Sequence, residues 1–182
     1  MIVAFLKSMF LYALLLLPFY VASRIFYLRG KHYTYKRESI MLVFFIYCVC
    51  IFSQTIIPKF TLSNGIIAVS KGSNLVHQNF VPFKTIQNYI EMLDGANALI
   101  AFYNLAGNII LFIPFGLLIP LLWHKIRSFK GIGIVVVAIP VFIEGTQYFI
   151  GRSVDIDDVI LNCFAIAVGY SIWKLYERRM KL

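Results

Sequence analysis

Five stretches of the chain, residues 2–26, 39–57, 104–123, 131–150 and 159–176, run almost unbroken in apolar side chains. A helix needs about 20 such residues to cross a hydrocarbon core about 30 Å thick, and each stretch is close to or beyond that length. No water reaches the backbone inside that core, so a crossing segment must satisfy its own amides, which for isolated apolar runs means a helix. Composition agrees. Of the 182 residues, 60% are apolar and 14% charged, against about 45–50% and 25% in ordinary soluble domains. A water-soluble globule of this size has too little interior to hide so much apolar surface. The chain therefore reads as an all-α integral membrane protein with five transmembrane helices. That leaves no room for a separate soluble catalytic domain, and any chemistry falls to the spans and their loops.

The first stretch does not read as a cleaved leader. Lys7 interrupts a run that is already apolar from Ile2, and no small-residue cleavage pattern follows it, so it is expected to be a retained helix. The formal net charge of +9 would point to nucleic acid in a soluble protein. Here the basic residues sort by connection instead. Arg24, Arg29, Lys31, Lys36 and Arg37 separate spans one and two, and Lys125, Arg127 and Lys130 separate three and four. Lys174, Arg178, Arg179 and Lys181 follow span five, and only Lys7, Lys59, Lys71, Lys84 and Arg152 fall on the other side. By the positive-inside rule the N-terminus is outside and the C-terminus cytoplasmic, in a multi-pass protein of the cell membrane. Membrane lipids are the expected partners of this charge, and nucleic acid is not. The oligomeric state cannot be read.

Three regions follow: residues 1–78 with two spans and the start of a longer extracellular loop, residues 79–176 with three spans, and a basic tail, 177–182. Within the loop, Asn64-Gly65 between apolar flanks predicts a tight hairpin. Ile86, Tyr89, Ile90 and Leu93 recur at helical spacing, as in a short amphipathic helix on the outer leaflet. Between them Val81-Pro82-Phe83 is expected to be an extended apolar dipping point. Cys48, Cys50 and Cys163 lie within spans and read as small apolar residues. His32, His77 and His124 lie in loops and read as surface residues. No cofactor is implied.

The informative residues are polar ones in spans three to five. Asn108 lies in span three, ahead of Phe112-Ile113-Pro114-Phe115-Gly116, where the glycine permits close approach of a neighbouring helix. Glu144 and Gln147 share one face of span four, with Arg152 at its outer end as a possible partner for the carboxylate. Span five opens on Asp155-Ile156-Asp157-Asp158 and continues to Asn162. Asp155 is placed to cap that helix, and Asp158 and Asn162 lie one turn apart. The orientation derived from charge puts all seven residues on the outer side. Each alone could be interhelical hydrogen-bond glue; gathered on three consecutive spans, they are read as ligand-binding.

These residues, with Gly169-Tyr170 and the loop element Asn79-Phe80-Val81-Pro82-Phe83-Lys84-Thr85-Ile86, resemble the VanZ-like membrane family over roughly residues 79–170. Cys163 stands where that family commonly has Thr, and Ala165 where Gly is usual. The resemblance implies a cell-envelope protein of the kind associated with teicoplanin resistance in Gram-positive bacteria, with no agreed reaction. Two functional readings follow. In the first, Asn108, Glu144, Gln147, Arg152, Asp155, Asp158 and Asn162 bind or shield a lipid-linked peptidoglycan precursor or a glycopeptide. Its ligand would enter laterally past Val81-Pro82-Phe83, in the loop element that also holds Asn79. In the second, an intramembrane enzyme modifies a lipid head group, with Glu144 as candidate general base. Asp155, Asp157 and Asp158 would then be weak candidates for holding Mg²⁺.

Overall fold

The computed structural model describes residues 2–56, 60–63, 66–69 and 78–180. The chain divides into two compact units, Met1–Ile57 and Pro58–Leu182. Among the described residues, five helices are long and apolar enough to cross a membrane.

The first unit is an antiparallel pair, α1 (Ile2–Leu28) and α2 (Tyr35–Thr55). Tyr20 stacks on Phe45 with ring centroids 4.3 Å apart. Near the connection, the Arg24 guanidinium donates to both carboxylate oxygens of Glu38 at 2.7–2.9 Å. Glu38 sits in the first turn of α2, where a negative charge also suits the helix dipole.

The second unit carries the remaining elements. Strands β1 (Phe60–Ser63) and β2 (Ile66–Val69) pair antiparallel with Ser63 opposite Ile66, which is the hairpin register expected around Asn64-Gly65. Those two turn residues lie outside the described set. Strand β3 (Gln78–Asn79) precedes α3 (Lys84–Met92), α4 (Ala98–Leu122), a single 3₁₀ turn (His124–Ile126) and α5 (Phe129–Phe149). Strand β4 (Val154–Asp155) leads into α6 (Ile156–Met180). The α3 amphipathic segment is helical as its periodicity predicts. Helix α4 begins at Ala98, ahead of the expected start at 104, because Ala98–Tyr103 is itself apolar and contains no helix breaker. Helix α6 likewise begins at Ile156 and takes Asp157 and Asp158 into its first turn, where the dipole favours them.

The core lies where α4 crosses α6. Helix α4 buries Phe112, Phe115, Gly116, Ile119, Pro120 and Leu122, a spacing that keeps one face of a helix inward. Ala165, Ile166 and Trp173 face them from α6. Two glycines permit the approach. A Cβ on Gly116 would fall on the Ile166 carbonyl oxygen and 2.6 Å from the Tyr170 nitrogen, and one on Gly169 would fall on the Ile113 carbonyl oxygen. The expectation for Gly116 therefore holds.

Proline creates a second link. Pro140 lacks the N–H that would otherwise serve the Val136 carbonyl four residues earlier. The Cys163 thiol of α6 donates to that carbonyl at 3.1 Å. Cys163 is thus an interhelical donor and not merely a small apolar residue. At the other end of the pair, the Tyr170 hydroxyl donates to the Arg127 carbonyl at 2.9 Å, and the Arg127 guanidinium lies 5.3 Å from the Trp173 ring centroid. The α4–α5 connection is thereby tied to the second half of α6.

Candidate functional site

Helix α3 cannot cap itself. Its N-cap residue is Phe83, which offers no side-chain acceptor and adopts a left-handed φ of 66°. Such a backbone costs a residue other than glycine on the order of 1 kcal/mol. The missing acceptor comes from α6. The Asp157 carboxylate, wholly buried, accepts from the backbone N–H groups of Phe83 at 2.5 Å, Thr85 at 2.7 Å and Ile86 at 3.0 Å. A charged acceptor at a helix N-terminus also gains from the dipole.

The neighbouring carboxylate completes a knot around this cap. Strand β3 pairs parallel with β4, setting Asn79 opposite Asp155. The Asn79 side-chain amide donates to Asp155 Oδ1 at 3.0 Å and to Thr85 Oγ1 at 2.9 Å, and the Thr85 hydroxyl donates to Asp155 Oδ2 at 2.6 Å. Asp155 Oδ1 also accepts the Asp157 N–H at 2.9 Å, which is the helix cap expected of it. Asn79 Oδ1 in turn accepts the Val81 N–H at 3.1 Å. That bond closes a turn, so residues 81–83 are not extended as the sequence led one to expect. Their apolar side chains are nevertheless exposed, with Phe80, Val81 and Phe83 each more than half accessible.

Beside this knot lies a groove of about 390 Å³, bounded by Phe80, Val141, Gly145, Tyr148, Phe149 and Val159, with Glu144 and Asp155 as the charged lining residues among those described. Glu144 is 5% exposed and, among the described residues, receives one hydrogen bond, from the Asp155 N–H to Oε2 at 3.3 Å. Arg152 acts on it electrostatically, as do Asp155 and Asp158.

The other expected ligand-binding residues lie away from the groove lining. The Asn108 amide donates to Asp158 Oδ1 at 2.6 Å, a bond between α4 and α6. Asn162 is 3% exposed, and its Oδ1 lacks a hydrogen-bond partner among the described residues. Gln147 contributes its backbone carbonyl to the Arg152 N–H at 2.9 Å. Of the seven, Glu144 and Asp155 therefore reach the groove, and Asn108 with Asp158 serves as interhelical glue. Among the described residues no three acidic, His or Cys side chains are grouped to hold a metal ion. Asp157 accepts from three amides, and Asp155 accepts from Asn79, Thr85 and Asp157. Outside the spans, burial pushes the Tyr89 phenol of α3 above its ordinary value, with the charges of Asp158 and Asp155 adding to the effect.

Sequence reasoning quoted Thr85 within the loop element but gave it no role, and did not find the groove-forming Gly145, Tyr148 and Phe149. Tyr148 and Phe149 read as ordinary span residues, and only the packing of β4 beside α5 makes them a wall. Comparison with known proteins yields one match: the VanZ/LLP1 family model covers residues 44–177, from the second half of α2 through most of α6. No curated protein and no solved structure matches the chain.

Proposed function

The chain belongs to the VanZ/LLP1 family, and from that premise and the groove beside Glu144 we propose that it contributes to glycopeptide resistance of the teicoplanin type. It does so by binding or shielding a lipid-linked cell-wall precursor or the antibiotic at the outer leaflet of the cell membrane. The observation that carries this reading is a groove of ligand size whose walls are apolar and whose floor holds a buried carboxylate. Small-ligand sites have this character, with few polar groups set in a mainly apolar lining. At about 390 Å³ the groove lies toward the lower end of the ~300–1,000 Å³ range of such sites. It therefore holds one arm of a large amphiphile and not the whole molecule.

Glycine 145 provides the test. It lines the groove, and a Cβ added there meets no atom within 4 Å, so Gly145→Phe fills the groove without displacing its helix. Expression of the wild type in a susceptible host raises the teicoplanin concentration needed to stop growth, and Gly145→Phe at equal membrane level removes most of that protection. Undiminished protection by the filled variant refutes the proposal. A second reading is favoured by the same carboxylate: an intramembrane enzyme on a lipid head group with Glu144 as base. A product of altered mass from a lipid-linked precursor, formed with or without Mg²⁺, would establish that reading; unchanged substrate would end it.

A further inference from the structure

The functional proposal names two chemically different ligands, one built on an anionic pyrophosphate and one an amphiphilic antibiotic. We infer that the groove is a site for a cationic amine attached to hydrocarbon, and that phosphate is excluded from it. This inference rests on the groove being the ligand site, as proposed above.

Three observations support it. The first is charge. Among the described residues, the charged ones lining the groove are Glu144 and Asp155; Asp155 and Asp158 act on Glu144 against the guanidinium of Arg152, and Asp155 and Asp157 act on Asp158. The neutral donors Asn79, Thr85 and Asn108 satisfy hydrogen bonds to these carboxylates but cancel none of their charge. A phosphate entering here would add like charge where little water screens it. An ammonium would reduce the excess.

The second is hydrogen bonding. Once ionised, a carboxylate offers about four acceptor positions, and from the described residues Glu144 receives one bond, at 3.3 Å, while only 5% exposed. A donor from the ligand would fill what the protein leaves open, and charge-assisted bonds of this kind are short and strong. The third is the wall. Phe80, Tyr148 and Phe149 present three aromatic rings, which attract a cation through their faces and repel an anion. Phe149 is 87% exposed and Val141 51%. The groove thus opens along an apolar surface, where the hydrocarbon attached to the amine can run outward.

The test uses the full chain in dodecyl maltoside micelles, which carry no charged group, with three probes of equal chain length: dodecylamine, dodecanol and dodecyl phosphate. Adducts are counted by native mass spectrometry over a range of probe concentrations. The amine is expected to bind about tenfold more tightly than the alcohol, as one charge-assisted bond would supply, and the phosphate more weakly than the alcohol. Glu144→Gln should bring the amine to within about twofold of the alcohol measured on the same variant. The order of the three probes on the wild type decides the matter even where Glu144→Gln is not recovered folded. Phosphate binding as tight as amine binding overturns the inference, as does an amine preference that survives Glu144→Gln. The two proposals fail separately. Amine selectivity without glycopeptide protection overturns the functional reading alone, and protection without amine selectivity overturns this one alone.

Discussion

Removing the Asp157 carboxylate should uncouple α3 from the rest of its unit. In Asp157→Ala, the N–H groups of Phe83, Thr85 and Ile86 lose their acceptor in a position that water does not reach. A hydrogen bond to a charged group contributes about 1.5–3 kcal/mol, and an orphaned buried donor costs about 1–3 kcal/mol. The three bonds share one carboxylate and do not add independently. The sum is limited further because α3 can undock and expose its amides to water. A loss of roughly 3–5 kcal/mol is expected, in line with breaking a buried charged contact from one side. Asp157→Asn keeps one acceptor oxygen but turns an amide N–H toward a donor, and should recover less than half of that loss. The loss should be local, and hydrogen exchange in micelles reads it directly. Exchange of amides in Lys84–Met92 should rise by about 10²–10³-fold, the factor that roughly 3–4 kcal/mol of easier opening implies. Amides of α1 and α2, in the other unit, should keep the wild-type rate. An α3 exchange rate within about threefold of wild type in a folded Asp157→Ala variant would refute the capping argument.

At the α4–α6 crossing, Gly116→Ala or Gly169→Ala drives a methyl onto a backbone carbonyl of the facing helix. Each should cost at least 1–3 kcal/mol by overpacking, read as a lower unfolding midpoint in micelles, whereas Gly133→Ala, whose added Cβ meets nothing within 4 Å, should be neutral or slightly stabilising. Cys163→Thr should preserve the bond to the Val136 carbonyl through its hydroxyl. Cys163→Val leaves that carbonyl without this donor and should lose about 0.5–1.5 kcal/mol relative to Thr. Tyr89 adds a pH dependence. Its folded value lies above the ordinary 10.0, so the folded state holds its proton where the unfolded chain has released it. Stability from this group is complete below pH 10.0 and falls as pH rises toward the folded value; Tyr89→Phe should flatten the alkaline side of the unfolding profile.

The five long helices were legible because length and hydropathy suffice to mark them. The α3 helix and the 60–69 hairpin register were legible from local periodicity and a turn dipeptide, and Gly116 from its setting. Boundaries were less so. Asn104 looked like an entry point, yet its side chain only returns to the Ile100 carbonyl within α4 at 2.8 Å. The candidate site was half legible. Asp155, Asp157 and Asp158 read as one acidic run, but each turns to a different partner. Asp155 faces the Asn79–Thr85 loop, Asp157 the start of α3, and Asp158 the Asn108 amide of α4. The run sits where strand becomes helix, and the changing backbone direction fans the side chains apart. Neither periodicity nor spacing reports such a change, and the partners lie 50 to 76 residues away along the chain. For the same reason the groove wall was hidden.

The distance between α3 and its cap also orders the chain's assembly. Phe83 and Asp157 are 74 residues apart, so at about 5–20 residues per second the start of α3 waits roughly 4–15 s on the ribosome before its acceptor is made. During that interval two further apolar helices, α4 and α5, must be inserted while the Phe80–Phe83 turn lacks the knot that holds it. A nascent chain halted before Asp157 should therefore carry a loop that proteases cut readily, and release through α6 should close it. A helix synthesised later thus completes a loop laid down well before it.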